Sequence, residues 1–173
     1  MTETLKNGLA PIVDEDSTHL ILGTSPGNDA LKLQRYYAHR SNQFWKILEM
    51  VYDEEIPDAY ERRIAFLLRH HVALWDVLRR ADRQGSLDTF KYEVPNDFTA
   101  LFERFSRLRA VGLAGTKAAK LFRRYIASQP EVPMAKLRRV VLPSTSSTPG
   151  LHVKSLEEKV ACWRAFLLDA APH

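Results

Sequence analysis

A single α/β domain, with a parallel sheet covered by helices on both faces, is the fold class the sequence predicts, and three observations carry it. Four short runs rich in branched apolar residues recur along the 173 residues. Segments of helical periodicity separate them, and the chain is long enough to bury a sizeable core without a staple of disulfides or metal. Parallel neighbours need crossover connections, and crossover helices must bury their apolar stripes on the sheet.

The four runs are His19–Gly23 (HLILG), Val72–Asp76 (VALWD), Arg109–Leu113 (RAVGL) and Arg138–Leu142 (RRVVL), read as buried strands. Periodicity alone cannot tell runs this short from buried helix, so the intervening segments decide. After Pro57, Asp58 and Glu61 form a capping pair, and Tyr60, Ile64, Leu67 and Leu68 follow at helical spacing. Ala118, Leu121, Phe122 and Tyr125 share one face of a helix whose other face carries Lys117, Lys120, Arg123 and Arg124. The last helix has a capping box of Ser155 and Glu158, then Leu156, Val160, Trp163 and Leu167 on one stripe. Gln84–Asp97 (QGSLDTFKYEVPND) is the longest stretch of loop-like composition.

Composition narrows the function classes. Hydrophobic residues make up 45% of the chain, yet no apolar run approaches the ~18 residues of a membrane span. Glu3, Lys6, Asp14, Glu15 and Asp16 interrupt the first twenty residues, so no signal peptide is expected. Cys162 stands alone, which excludes an internal disulfide and sites built from several thiolates and suits a reducing cytoplasm. The histidines at 19, 39, 70, 71, 152 and 173 lack ligand spacing, so neither a metal nor any other cofactor is expected. Charge is uneven: residues 1–61 hold 5 basic and 11 acidic side chains, and residues 62–173 hold 20 and 10. A basic half suits a polyanion, although solvated charged faces are also common.

In parallel sheets ligands bind outside the carboxyl ends of the strands. Two segments at such ends are conspicuous: Gly23–Gly27 (GTSPG) after the first run and Pro143–Gly150 (PSTSSTPG) after the last. The first is neither a Walker phosphate loop nor a dinucleotide fingerprint. It leads into Arg35–Trp45 (RYYAHRSNQFW), where Tyr36, Tyr37, Phe44 and Trp45 surround His39, Arg40, Ser41, Asn42 and Gln43. Aromatic rings interleaved with amides and a cation are what stacking a nucleobase and bonding its edge require. Phe44 and Trp45 also fit the core at the start of a helix, and Asn42 also fits that helix's N-cap.

The stretch Gly23–Trp45 resembles the first motif of the uracil-DNA glycosylase superfamily, a Gly-Pro turn followed by an aromatic, His, Asn and Phe-Trp cluster. Its spacing is like that of the mismatch-specific uracil and thymine glycosylases. Leu74–Val77 (LWDV), Gly85–Asp88 (GSLD) and Leu142–Ser146 (LPSTS) look more like the hypoxanthine-DNA glycosylase branch, so the resemblance covers residues 19–168 of one 173-residue domain. It implies a three-layer α/β/α sandwich around a four-stranded parallel sheet. The implied function is monofunctional hydrolysis of the N-glycosyl bond of a flipped, deaminated base in DNA, hypoxanthine first and uracil or a related lesion next. The implied partner is damaged DNA, bound by a monomer in the cytoplasm, at the nucleoid when engaged.

By the same resemblance Asn42 is the catalytic, water-orienting residue, and Ser25 stands where other branches place an Asn or Asp at the attack site. A hydroxyl cannot hold a negative charge against a cationic sugar. Tyr37 takes the stacking position, with Thr24, Tyr36, His39 and Phe44 completing the base-binding set. Ser144, Thr145 and Ser146 are expected to hold DNA phosphates, Leu151 or His152 to be the wedge, and Lys117 to lie near phosphate at a helix start. Ala114 stands where the branch commonly has Asn, and Ser147 and Thr148 lengthen the second loop. Two other classes remain open: a DNA or damaged-base binding module of the same fold that does not cleave, and an enzyme acting on free nucleosides. The basic half argues against the latter.

Overall fold

The computed structural model describes residues 8–83 and 90–168. Its centre is a four-stranded sheet of β1 (His19–Gly23), β2 (Val72–Asp76), β5 (Ala110–Ala114) and β6 (Arg138–Leu142), in the order β2-β1-β5-β6. All three pairings are parallel, with Gly23 opposite Asp76 and Ala114 opposite Leu142 at the carboxyl ends. Helices cover both faces, as the alternation of apolar runs and helical segments requires. Ile21, Val72 and Leu74 belong to one core with α2 (Phe44–Tyr52), α3 (Tyr60–Arg69) and α6 (Leu156–Leu168). Leu20, Leu22, Val111 and Leu113 belong to the other, with α4 (Phe98–Arg104) and α5 (Thr116–Leu121). The predicted parallel α/β sandwich is therefore the observed one.

The capping box of α6 forms as predicted. Ser155 N–H donates to Glu158 Oε1 at 3.0 Å, and Glu158 N–H donates to Ser155 Oγ at 3.2 Å. Four local expectations are corrected. The Asp58–Glu61 capping pair does not form; Ala59 is the N-cap of α3, and the Asp58 carboxylate turns to Arg63 Nη2 at 3.4 Å. The basic amphipathic helix changes pitch, since α5 ends at Leu121 and a π-helical turn runs over Phe122–Ile126. The β6 run is not buried, because it is an edge strand with a single neighbour, and Arg138, Arg139 and Val141 are exposed.

The fourth correction concerns the segment read as loop. Residues Phe90–Pro95 form β4, antiparallel to β3 (Leu78–Arg83) in a separate two-stranded sheet. The period-two alternation of Phe90, Tyr92 and Val94 with Lys91 and Glu93 was the available strand signal. The GSLD segment lies outside the described residues. Among those described, no helix is long and apolar enough to cross a membrane, and no group of acidic, His and Cys side chains could hold a metal ion.

Candidate active site

The carboxyl ends of β1 and β2 meet at Gly23 and Asp76, which are in register. A Cβ built on Gly23 would lie 2.7 Å from Asp76 Oδ1, so only glycine lets that carboxyl lie across the strand end. The turn that follows is fixed from beside it: Val77 N–H donates to Gly23 O and Leu78 N–H to Thr24 O, both at 2.9 Å. The Thr24 and Ser25 side chains are half-buried in this turn.

Asp76 is 7% exposed, and its Oδ2 has no hydrogen-bond partner among the described residues. Leaving a buried carboxylate oxygen unpaired is costly. Burial pushes the acid up to about 7, so near neutrality a large share of it is the uncharged form. Sequence reasoning did not select this residue. The signal was present, because Asp76 ends an apolar strand in a sheet whose ligands gather at that edge.

Tyr37 closes the same corner. Its hydroxyl lies 3.6 Å from the position a Gly23 Cβ would take, and its φ of 54° is left-handed. The Tyr37 ring lies flat on Phe44, with centroids 3.9 Å apart and planes 10° from parallel. Phe44 is fully buried and makes edge contacts with Trp45 and Trp163. Phe44 is thus the backing of the Tyr37 ring, and the core reading of Phe44 and Trp45 holds. Burial first, and then the nearby Asp76 charge, push the Tyr37 phenol well above its ordinary range, so it stays a neutral donor.

Tyr36 points elsewhere, a departure from its expected place in the base-binding set. It is buried in the core, its N–H donates to Tyr60 Oη at 2.9 Å, and its hydroxyl donates to Ala10 O at 2.8 Å. Asn42 is half-buried and lies one residue before Gln43, which is the N-cap of α2 in place of Asn42; the Asn42 Oδ1 nevertheless accepts Phe44 N–H at 2.9 Å, so its side chain caps the helix start from outside. That bond holds the amide plane and leaves the second lone pair of Oδ1 and the NH2 group for a ligand. His39 is exposed and accepts Ser41 N–H at Nδ1, 3.2 Å away.

The second loop comes to the same edge of the sheet. Gly115, with φ of 102°, starts α5; its N–H donates to Leu142 O at 2.9 Å, and a Cβ there would sit 3.6 Å from Ser144 Cβ. Lys117 is half-buried in the first turn of that helix. Ser144 and Ser146 are exposed, with Ser146 N–H donating to Ser144 Oγ at 3.1 Å. Thr145 departs from its expected DNA-facing role: it is 3% exposed, and its carbonyl accepts Gln43 N–H at 2.8 Å. It anchors the loop. Leu151 is 92% exposed and His152 is exposed beside it.

One residue missed by sequence reasoning joins the loops. Lys159 of α6 is 3% exposed, and its Nζ donates to Gln43 Oε1 at 2.7 Å and Ser146 O at 2.9 Å. Lys159 is three residues past Leu156 and four before Trp163, on the apolar stripe, which was the signal that it points inward.

The carboxyl edge of the sheet thus gathers a backed aromatic ring, a buried acid with one unpaired oxygen and an amide, beside an exposed hydroxyl-rich loop. Comparison with known proteins places the chain in a family. The family model described as "Uracil DNA glycosylase superfamily" matches residues 10–167. A hypoxanthine DNA glycosylase of Methanosarcina acetivorans is 31% identical over 163 residues, covering 93% of this chain and 97% of the relative. One of Methanosarcina barkeri is 34% identical over 160 residues, covering 91% and 95%. A solution NMR structure from Methanosarcina acetivorans, of a protein assigned as a uracil DNA glycosylase, superposes with a TM-score of 0.78 at 29% identity, covering 94% of this chain and 96% of that one. With the first motif, the second loop and the parallel sheet all in place, the chain belongs to the uracil DNA glycosylase superfamily.

Proposed function

We propose that this protein binds DNA as a monomer, flips a deaminated base out of the stack, and hydrolyses its N-glycosyl bond, with hypoxanthine the preferred base and uracil or a related lesion next. Membership of the superfamily makes it a DNA glycosylase. The observation that carries the finer reading is the buried Asp76 carboxyl, its Oδ2 without a hydrogen-bond partner among the described residues, which shares the Gly23 corner with the Tyr37 hydroxyl. A neutral carboxylic acid donates to a carbonyl and accepts from the adjacent N–H, and that –NH–C=O edge is common to hypoxanthine and uracil. The Tyr37 ring, backed by Phe44, offers a face for the base, a contact worth roughly 1–3 kcal/mol.

In this reading the oxygen of a water bonds to C1′ as the C1′–N bond breaks. The electron pair leaves with the base, and the proton lost by the water balances the protonation of the base. Asn42 orients that water through the free lone pair of Oδ1. An amide is a weak base, which suffices where the sugar is already cationic and the water only needs placing. Ser25, at the turn, contributes a hydroxyl and no charge. Ser144 and Ser146 hold phosphate, Leu151 or His152 fills the gap left by the flipped nucleotide, and Lys117 adds positive potential. The Asp76 oxygen is closed to solvent in the DNA-free protein, so the groups around it must shift for a base to reach it.

The test is single-turnover excision with excess protein on duplexes carrying hypoxanthine, uracil, xanthine or thymine, read by alkaline cleavage of abasic sites. Hypoxanthine cut fastest is expected; uracil cut alone would overturn the base preference. The capping bond of Asn42 favours one second reading, a module that binds a damaged base without cleaving it. Salt-sensitive binding without product on any duplex would support that instead.

A further inference from the structure

Lys159 is an expensive residue for the place it occupies. It sits on the apolar stripe of α6, 3% exposed, between Leu156 and Trp163. Both of its hydrogen-bond acceptors are neutral oxygens, the Gln43 amide and the Ser146 carbonyl. Desolvation pushes its ammonium below the ordinary lysine range. A buried cation without a counter-charge is costly, and a methionine would fill similar space without that penalty. On stability alone, lysine is the poorer choice.

What the ammonium provides is a joint between two loops distant in sequence. Gln43 directly follows Asn42 and precedes the first turn of α2. Ser146 is the middle of the exposed loop after β6, where it bonds Ser144 and Thr148. Two charge-assisted bonds from one Nζ, together with the Gln43 N–H bond to Thr145 O, tie these loops at three points. Trp163, one turn further along α6, holds the root of the same loop through Nε1 to Pro143 O at 3.0 Å.

We propose that Lys159 is a positioning residue for base excision: by joining Gln43 to Ser146 it makes the DNA-facing loop and the Asn42 turn one rigid unit, so that seating the loop on DNA places the Asn42 amide. This rests on the glycosylase reading above. The residue acts through its neighbours, since burial keeps it from the DNA. It predicts a signature opposite to that of a structural residue: removing it leaves stability equal or higher while excision slows.

The experiment compares the parent protein with Lys159→Met and Gln43→Ala on a hypoxanthine duplex, measuring the saturated single-turnover rate, the protein concentration at half-saturation, and thermal melting. Lys159→Met is expected to lower the saturated rate by about 100-fold, the scale of a misplacement near 1 Å, with melting unchanged or raised and half-saturation moved far less. Gln43→Ala, which keeps the lysine, is expected to slow excision by about tenfold. Its loss of one placing contact is read in the same assay. A Lys159→Met protein that cleaves within threefold of the parent, or that loses rate and melting temperature together, overturns the inference. If that variant is unfolded at the assay temperature, Gln43→Ala decides: a slowed rate supports the joint and a parental rate overturns it. A parent protein that excises no base overturns the proposed function and this inference with it, whereas an active parent with equally active variants overturns the inference alone.

Discussion

The two loops at the carboxyl edge of the sheet use similar polar residues in opposite ways. From Gly23 to Gln43 the important groups are buried or backed by the core: Asp76 and Tyr37 lie at the Gly23 corner, Phe44 lies under the Tyr37 ring, and Asn42 is pinned to the α2 backbone. From Ser144 to Gly150 every residue except Thr145 is exposed, and the loop is shaped by hydrogen bonds among its own hydroxyls. Burial makes a polar group strong, selective and sensitive to protonation, whereas exposure makes it adaptable and weak. The first loop is accordingly suited to a base and the second to a phosphate backbone.

The contrast breaks most visibly at Asn42. Asn42→Ala is expected to lower the saturated excision rate by about 100- to 1,000-fold, while Asn42→Ser, which retains a capping side chain, should show a comparable loss of rate with unchanged melting. An Asn42→Ser protein of parental activity would mean the residue is only a cap. Next in size is Tyr37→Ala, expected to weaken capture of the damaged base by about 1–3 kcal/mol, or roughly 5- to 150-fold in half-saturation on a hypoxanthine duplex. Part of any melting change there would come from uncovering Phe44.

Asp76 sharpens the comparison through pH. Excision that uses its neutral form should fall as pH rises through about 7, and Asp76→Asn should flatten the profile between pH 6 and pH 8. Stability should follow the same direction. The folded chain keeps a proton that the unfolded chain releases above 3.8, so this contribution is fully present below 3.8 and is lost as pH climbs through about 7. Asp76→Asn should therefore be more stable than the parent at pH 8, by on the order of 2–4 kcal/mol, with little difference at pH 4. The smallest effect is expected in the second loop. Ser144→Ala and Ser146→Ala should each weaken duplex binding by about 2- to 10-fold, the worth of one hydrogen bond that stays exposed to water, with the saturated rate unchanged. A large rate loss in either would show that the two loops do not divide the work by burial.

Much of the fold was legible because its signals are local and repeated. Three of the four strands occupy the residues read for them, β5 is displaced by one, and the Ser155–Glu158 box opens α6 as its spacing requires. The misread places lack such redundancy. Asp58 had a competing partner in Arg63, and the alternating β4 run needs as its partner β3, whose polar sequence announces no strand. In the site, the first motif was visible in its aromatic and amide residues, while the inward turns of Tyr36 and Thr145 were not. A polar or aromatic residue in a loop reads alike whether it faces a ligand or a backbone carbonyl.

By itself the sequence determined the layered α/β architecture, the edge of the sheet where ligands bind and the two loops that meet there, because period, capping residues and glycine-proline turns act over a few residues. Only the tertiary structure decided that Asp76 Oδ2 would be left without a partner among the described residues, that Phe44 would lie beneath Tyr37, and that a lysine 116 residues from Gln43 would join one loop to the other. Those outcomes depend on which groups are withdrawn from water together, and solvent exclusion is a property of the packed chain, not of any segment of it.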